Sequence, residues 1–318
     1  MSFEVARYAA TDAARWDAFV RDSRNGTFLL ERSFMDYHAD RFEDHSLLLL
    51  DGEGRICALL PANRAGDELH SHAGLSYGGL VLGRRGGTAD AIAMLEAVRG
   101  YMRAHALVRL HYKTIPWIYH RQPAEDDRYA LFRADAALTR RDVLAVVPRE
   151  DRLRFQERRT RGVKTARRAG VIVEESLDFA PFWSVLDATL RARHGVGPVH
   201  SLAEIELLRS RFPERIRLFS ATLEGGVVAG AVVFETERVA HVQYIAAAPA
   251  GRDVGALDAV FDHLLGSVYR DKPYFDFGIS NEDQGRTLNV GLIEQKEGFG
   301  ARAVAHDYYT VTCGTAND

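Results

Sequence analysis

The sequence predicts an α+β protein (mixed α/β) built from two successive copies of one unit. Three observations carry this. The same succession reads twice along the chain: helices, a glycine-turned strand pair, a strand with a tyrosine, a long helix, another strand. Equivalent landmarks keep their distance. Tyr77 and Tyr244 lie 167 residues apart, and the strands opening at Leu107 and Pro273 lie 166 apart. Unlike elements that share one offset mark a duplication. Finally, 318 residues suffice for two cores. The domains are placed at 1–145 and 146–318, with a cleft expected between them.

In the first copy, Thr11–Arg21 has the period of a capped helix, with Trp16, Phe19 and Val20 on one face. Ser33–Arg41 reads as a second helix. Ser46–Leu50 and Arg55–Pro61 read as strands joined by Asp51-Gly52-Glu53-Gly54, a hairpin signal. Ala73–Leu82, AGLSYGGLVL, reads as a glycine-punctuated strand. Thr88–His105 is a helix with Ile92, Leu95, Val98 and Met102 inward, and Leu107–Tyr112 is a strand ending in Lys113. From Thr114 to Asp142, prolines and the cluster Glu125-Asp126-Asp127 read as a connector. Its Trp117, Tyr119, His120 and Tyr129 either wall a cleft or only pin the loop down.

A basic linking helix is expected over 150–169, closed by Gly170. Its acids, Glu150, Asp151 and Glu157, sit toward the start and its cations follow. That order suits the helix dipole and equally a phosphate clamp. In the second copy, Val171–Glu175 is a strand and Asp178–Arg193 a helix. Ser201-Leu202-Ala203-Glu204 is a capping box. Ile216–Leu223 and Val227–Thr236 form a hairpin, Ala240–Ala247 a strand, and Asp253–Tyr269 a long helix.

The chemistry is expected in Pro273–Ala301. Phe275 and Phe277 flank Asp276, and Gly278 turns the chain into a polar loop with Ser280. A helix follows with Leu288, Leu292 and Ile293 on one face and Arg286, Asn289 and Lys296 on others. A strand end followed by a helix is where open α/β sheets place ligands. The chain has four lysines against thirty-seven arginines, so a lysine kept here is a candidate for a role only a compact point charge fills. Lys113, Lys164 and Lys296 are carried forward on that ground.

A net charge of −3 argues against a surface coated by nucleic acid. No run approaches the ~18 apolar residues of a membrane span. The start, MSFEVARYAATDAARW, has no leader pattern. Cys57 and Cys313 are unpatterned and read as thiols in a reducing cytoplasm. His70 and His72 are too isolated to count as ligands, and no metal is expected.

The unit of two helices, hairpin, central strand, helix, strand, helix and last strand resembles the GNAT acyltransferase fold. Two such units joined by RRTRGVKTARRAGVIVEE, Arg158–Glu175, resemble the FemAB-like family, as a short member without a tRNA-binding helical arm. Phe275–Gly278 and QKEGFG, Gln295–Gly300, carry the likeness further. The second is similar to the family's Phe-Lys-x-x-Phe-Gly, with Gln295 in place of the aromatic.

The resemblance implies an acyltransferase acting from acetyl-coenzyme A or another acyl-coenzyme A. The acceptor would be an amine of an amino sugar or a nucleotide-sugar or polysaccharide precursor. Aminoacyl-tRNA as donor is a second reading, and a non-catalytic glycan- or partner-binding module a third. Lys296 becomes the stabilising cation, with Asp276 or Glu294 as base. Arg252, Gly255 and Ala256 stand where the fold cradles a donor pyrophosphate. Tyr244, Ser280, Arg286, Asn289, Lys113 and Lys164 become acceptor or phosphate contacts.

Overall fold

The computed structural model describes residues 2–313, which divide into two compact units. The first takes the chain up to Asp142, Asp283–Arg286 and the segment from Ala305; the second takes Val143–Glu282 and Thr287–Val304.

The first unit opens with β1 (Glu4–Arg7), α1 (Ala13–Asp22) and the single turn α2 (Arg32–Met35). Short strands follow: β2 (Glu43–Asp44), β3 (Leu47–Leu50), β4 (Ile56–Leu60), β5 (Asn63–Ala65), β6 (Glu68–His70) and β7 (Val81–Leu82). Then come α3 (Thr88–Ala104), β8 (Arg109–Lys113), α4 (Asp126–Arg133) and β9 (Ala137–Pro148). One sheet runs β1-β3-β4-β7. A second runs β2-β5-β6-β8 and continues to the last strand of the chain. The core joins Leu47, Leu49, Ala58 and Leu60 to Met94, Leu95, Val98 and Met102 of α3 and to Leu110 and Tyr112 of β8. Side chains alternate along a strand, so Arg109, His111 and Lys113 lie on the face opposite that core.

Two expectations fail in this unit. Of Ala73–Leu82 only Val81–Leu82 is strand. Its glycines serve close approach instead: a Cβ on Gly78 would lie 2.1 Å from Ser71 O, and one on Gly79, at φ +80°, 2.7 Å from the Tyr112 ring. The connector 114–142 is also more ordered than its loop signals suggest. It forms α4 and the first half of β9.

The second unit begins within β9 and continues with α5 (Glu157–Arg168), β10 (Ile172–Ser176), α6 (Ala180–His194) and α7 (Leu202–Arg211). Next are β11 (Ile216–Leu223), β12 (Gly226–Glu235), β13 (Val239–Ala247), α8 (Pro249–Asp253), α9 (Ala256–His263) and β14 (Tyr274–Ile279). A two-strand ribbon, β15 (Asn281–Glu282) with β16 (Thr287–Leu288), leads to α10 (Val290–Glu297) and β17 (Arg302–Thr312). The sheet order is β10-β11-β12-β13-β14-β9, antiparallel except for the parallel pair β13–β14. Phe261 of α9 meets Phe277 and Phe299 edge-on, with ring centroids 4.8 and 5.0 Å apart. The capping box forms as read: Ser201 N donates to Glu204 Oε2 at 2.7 Å and Glu204 N to Ser201 Oγ at 3.2 Å.

The linking helix is shorter than 150–169. It starts at Glu157, after Asp151 turns the chain at φ +53° and Gln156 N bonds Gly298 O at 2.9 Å. The long helix expected over Asp253–Tyr269 is broken at Gly255, φ +73°, and ends in a wide turn over Leu264–Val268. The break lets α5 approach closely. A Cβ on Gly255 would lie 2.8 Å from Gly162 O, and one on Gly162 would lie 1.8 Å from Asp258 Oδ2. The division expected at residue 145 gives all of the last strand to the second copy. In the structure the segment from Ala305 joins the first unit, because Tyr308–Thr312 pair with Lys113–Arg109 of β8.

Candidate active site

Strands β13 and β14 pair over three positions: Val239 with Tyr274, Ala240 with Phe275, His241 with Asp276. Beyond the last pair they part. β13 runs on to Ala247 beside β12, while β14 bulges against β9 between Asp276 and Ile279. Gly278, at φ +72°, allows the bulge. Two side chains fix it. Asp276 is fully buried; its Oδ1 accepts from Gly278 N at 2.7 Å, and its Oδ2 lies 2.9 Å from His241 Nδ1. From α10, Lys296 Nζ donates to Gly278 O at 3.1 Å and to Ile279 O at 2.6 Å. An ammonium has three donors, so one N–H is left beyond these two carbonyls. Burial pulls the Lys296 pKa down to about 8, with the Asp276 charge opposing.

A cavity of about 260 Å³ opens beside this bulge, wholly within the second unit. Ile245, Phe261, Phe277, Leu292 and Phe299 make it apolar; Lys296, Gln295, Arg159, Arg193, Arg252 and Asp258 supply polar groups. Arg159 Nη1 meets Asp258 Oδ1 at 3.0 Å, and burial still raises the Asp258 carboxyl above its ordinary range. Arg252 Nη1 donates to Ala247 O at 2.7 Å, holding the end of β13 to α8.

The expected site residues divide sharply. Lys296, Arg252 and Gly255 line the cavity. Ala256 is fully buried and does not, and Gly255 is explained by the α5 contact. Asp276 does not line the cavity either; it braces the bulge. Glu294 is exposed, and its carbonyl accepts from Arg158 Nη2 at 2.6 Å, so its neighbour Gln295 takes the place expected of it. The cause is the helix phase: Ile293 and Lys296 turn inward on α10 and Glu294 outward. Asn289 is the N-cap of α10, accepting from Leu292 N at 3.0 Å and donating to Glu282 at 2.8 Å. Ser280 is buried, and its carbonyl accepts from Asn289 N at 2.9 Å.

Tyr244 faces away from the cavity, into a buried couple with His200 Nδ1 beside Trp183. Arg286 is exposed and belongs to the first unit. Lys113 lies in the first unit with Nζ on the carbonyls of His72, Ala73 and Leu75. Lys164 is exposed on α5. His241, Arg159, Asp258 and Arg193 join the site without being singled out by the sequence. The only prior signal was Arg159, lost among the cations of its helix.

An apolar slot beside an unpaired strand edge can take an extended chain that bears amides, as strand-addition sites do. A buried ammonium at its end can stabilise a developing oxyanion or protonate a leaving group.

Residues 149–284 match the acetyltransferase (GNAT) domain model, a span that holds α5–α9 and β10–β14. This part of the chain is similar to the GNAT acetyltransferase domain. Over nearly its full length the fold is similar to solved structures. FemX aligns with a TM-score of 0.67 and 12% identity, over 96% of this chain and 97% of that one. L-PGS from Bacillus licheniformis aligns with a TM-score of 0.60 and 12% identity, over 93% and 90%. A tandem GNAT protein from the clavulanic acid biosynthesis pathway aligns with a TM-score of 0.55 and 13% identity, over 99% and 100%. No curated protein matches the chain in sequence. At such identities the likeness is one of fold: a mixed α/β chain of tandem GNAT-like units. Among the described residues no helix is long and apolar enough to cross a membrane.

Proposed function

We propose that the second unit transfers an acyl group from acyl-coenzyme A, acetyl-coenzyme A in the simplest case, to an amine on an amino sugar or sugar-nucleotide precursor. The observation that carries this is the parting of β13 from β14 beside a cavity that Lys296 lines. About 260 Å³ lies just under the ~300–1,000 Å³ usual for a whole ligand. It suits the thioester end of the donor, with the nucleotide outside at the arginine rim. The unpaired edge of β13 would meet the donor's amides as a neighbouring strand does. Attack by the amine places charge on the carbonyl oxygen and then on the leaving sulfur. The spare N–H of Lys296 would stabilise the first and supply a proton to the second. Asp258 is the carboxylate among the residues that line the cavity, so it is proposed as base ahead of Asp276 and Glu294. Cys57 and Cys313 are both free thiols, consistent with work in the cytoplasm.

The test is calorimetry of the whole chain with coenzyme A, paired with transfer of labelled acetyl to a panel of amino sugars. Binding at or below millimolar concentration with transfer is expected. Absence of both at millimolar donor overturns the reading.

One observation favours aminoacyl-tRNA as a second donor: Arg161, Lys164 and Arg168 are exposed on α5. On this reading aminoacyl-tRNA binds in a filter assay and weakens steeply with salt. Salt-independent or absent binding removes it.

A further inference from the structure

The first unit carries a cluster that the acyl-transfer reading does not use. Glu68 and His70 are two residues apart on β6 and therefore share a face. The parallel register sets His70 opposite His111 on β8. The intervening Leu69 and Leu110 turn into the core, so the three polar side chains emerge together on the other face. We propose that Glu68, His70 and His111 form a site for a divalent transition metal, zinc foremost, with its fourth position open to water or a ligand.

The geometry is close to what such a site needs. One donor atom from each residue lies within 4.8 Å of the others, and Glu68 Oε2 is 2.9 Å from His111 Nε2. The His70 and His111 rings are stacked, with centroids 4.5 Å apart and planes 18° apart. Ligands about 2.0 Å from a tetrahedral zinc stand about 3.3 Å from one another. Imidazole lone pairs lie in the ring plane, so both rings must turn out of their stack to converge on one ion.

The surroundings fit as well. Metal-bound carboxylates are commonly held by an outer hydrogen bond. Here Arg109 Nη1 holds Glu68 Oε1 at 2.5 Å and leaves Oε2 to the histidines. Arg109 is a cation, but its side chain is 54% exposed, so solvent screens it and it is free to swing out. The His70 ring makes no hydrogen bond to another described residue, so both its nitrogens are available. All three side chains are half-buried, which gives an ion a way in. Two imidazoles and one carboxylate favour zinc, cobalt or nickel over magnesium or calcium.

A plain ion pair among Glu68, Arg109 and His111 is the competing account, and metal titration separates the two. Purified whole chain, stripped with chelator and free of any affinity tag, is titrated with Co²⁺ and with Zn²⁺. One equivalent of Co²⁺ is expected to bind with a visible band of low-coordinate geometry, and Zn²⁺ to displace it. His70→Ala and His111→Ala should each weaken binding at least tenfold. Glu68→Gln, which keeps the bond to Arg109 and so guards against a folding artefact, should do the same. His105→Ala, on the exposed end of α3, should bind as wild type. Absence of a stoichiometric band, or a band that survives the His70→Ala/His111→Ala double change, overturns the proposal.

Discussion

Among the described residues each unit has a parallel strand pair that lasts three residues, and each pair ends on a histidine. In the second unit β13 and β14 end on His241 opposite Asp276; in the first, β6 and β8 end on His70 opposite His111. Each unit also buries a lysine whose pKa falls to about 8 because of burial. The difference lies in what surrounds the amine. Lys113 gives its donors to three carbonyls, at 3.0, 3.3 and 2.6 Å, within the glycine-rich segment that leaves the sheet after β6. Lys296 binds two carbonyls and borders a cavity. A buried ammonium bracing backbone carbonyls is thus common to both halves. Only in the second does the brace leave a donor over, which is the physical content of assigning the chemistry there.

Exchanging each lysine for methionine should separate the two halves most strongly. Lys296→Met is expected to lower kcat by about 10²–10³-fold in the labelled-transfer assay, the scale of losing one preorganised oxyanion donor. Lys113→Met should act on Tm, because it removes the shared donor of three carbonyls, two of them part-buried. Equal losses of kcat in both would show that the two halves share the chemistry.

The same pair separates by pH. With a folded pKa near 8, the Lys296 ammonium is present below pH 8 and lost above it, so kcat/KM should fall on a limb near pH 8. Lys296→Arg should remove the limb from the measured range, and Lys113→Met should leave it in place. Stability runs the other way. Between about 8 and the ordinary 10.5 the native state holds fewer protons than the unfolded one, so each lysine's contribution to stability rises with pH in that window.

A smaller effect is expected where α5 crosses α9. Gly162→Ala places a Cβ 1.8 Å from Asp258 Oδ2, so the Asp258 side chain or the helix packing must shift, at a cost of about 1–3 kcal/mol read by denaturant melting. An unchanged midpoint would show that the contact is loose. Asp276→Asn keeps an acceptor for Gly278 N and should lower kcat less than tenfold, whereas loss of a true general base costs about 10²–10⁴-fold. The smallest effect belongs to Lys164→Ala. Exposed on α5, it should alter stability by no more than about 0.5 kcal/mol and leave acetyl transfer unchanged. A drop confined to tRNA binding would favour the second donor.

Much of this molecule is legible in one dimension where a local rule suffices. The Ser201 capping box, the hairpin around Gly225 and the strand Phe275–Phe277 all follow from spacing and residue type. Misreadings arise where a distant backbone decides. Gly74, Gly78 and Gly79 look like strand punctuation, but a Cβ on each would clash, with His38, Ser71 and Tyr112 respectively. Gly255 looks like a phosphate loop, yet it answers to Gly162 across two helices. Glu294 and Lys296 are two residues apart, and only the docking of α10 makes one outward and the other inward. Asp276 is a candidate base by its chemistry alone, and its contacts with Gly278 N and His241 become visible only in the fold.

By itself, then, the sequence determined the order and kind of elements, the duplication, and the short list of groups able to handle charge, because propensity, periodicity and side-chain chemistry are properties of neighbours along the chain. Tertiary structure alone decided which of those groups face a cavity, which brace a bulge, and that His70, set aside as isolated, stands against His111. Strand register and helix phase join residues forty or a hundred positions apart, and no local pattern encodes the distance between them.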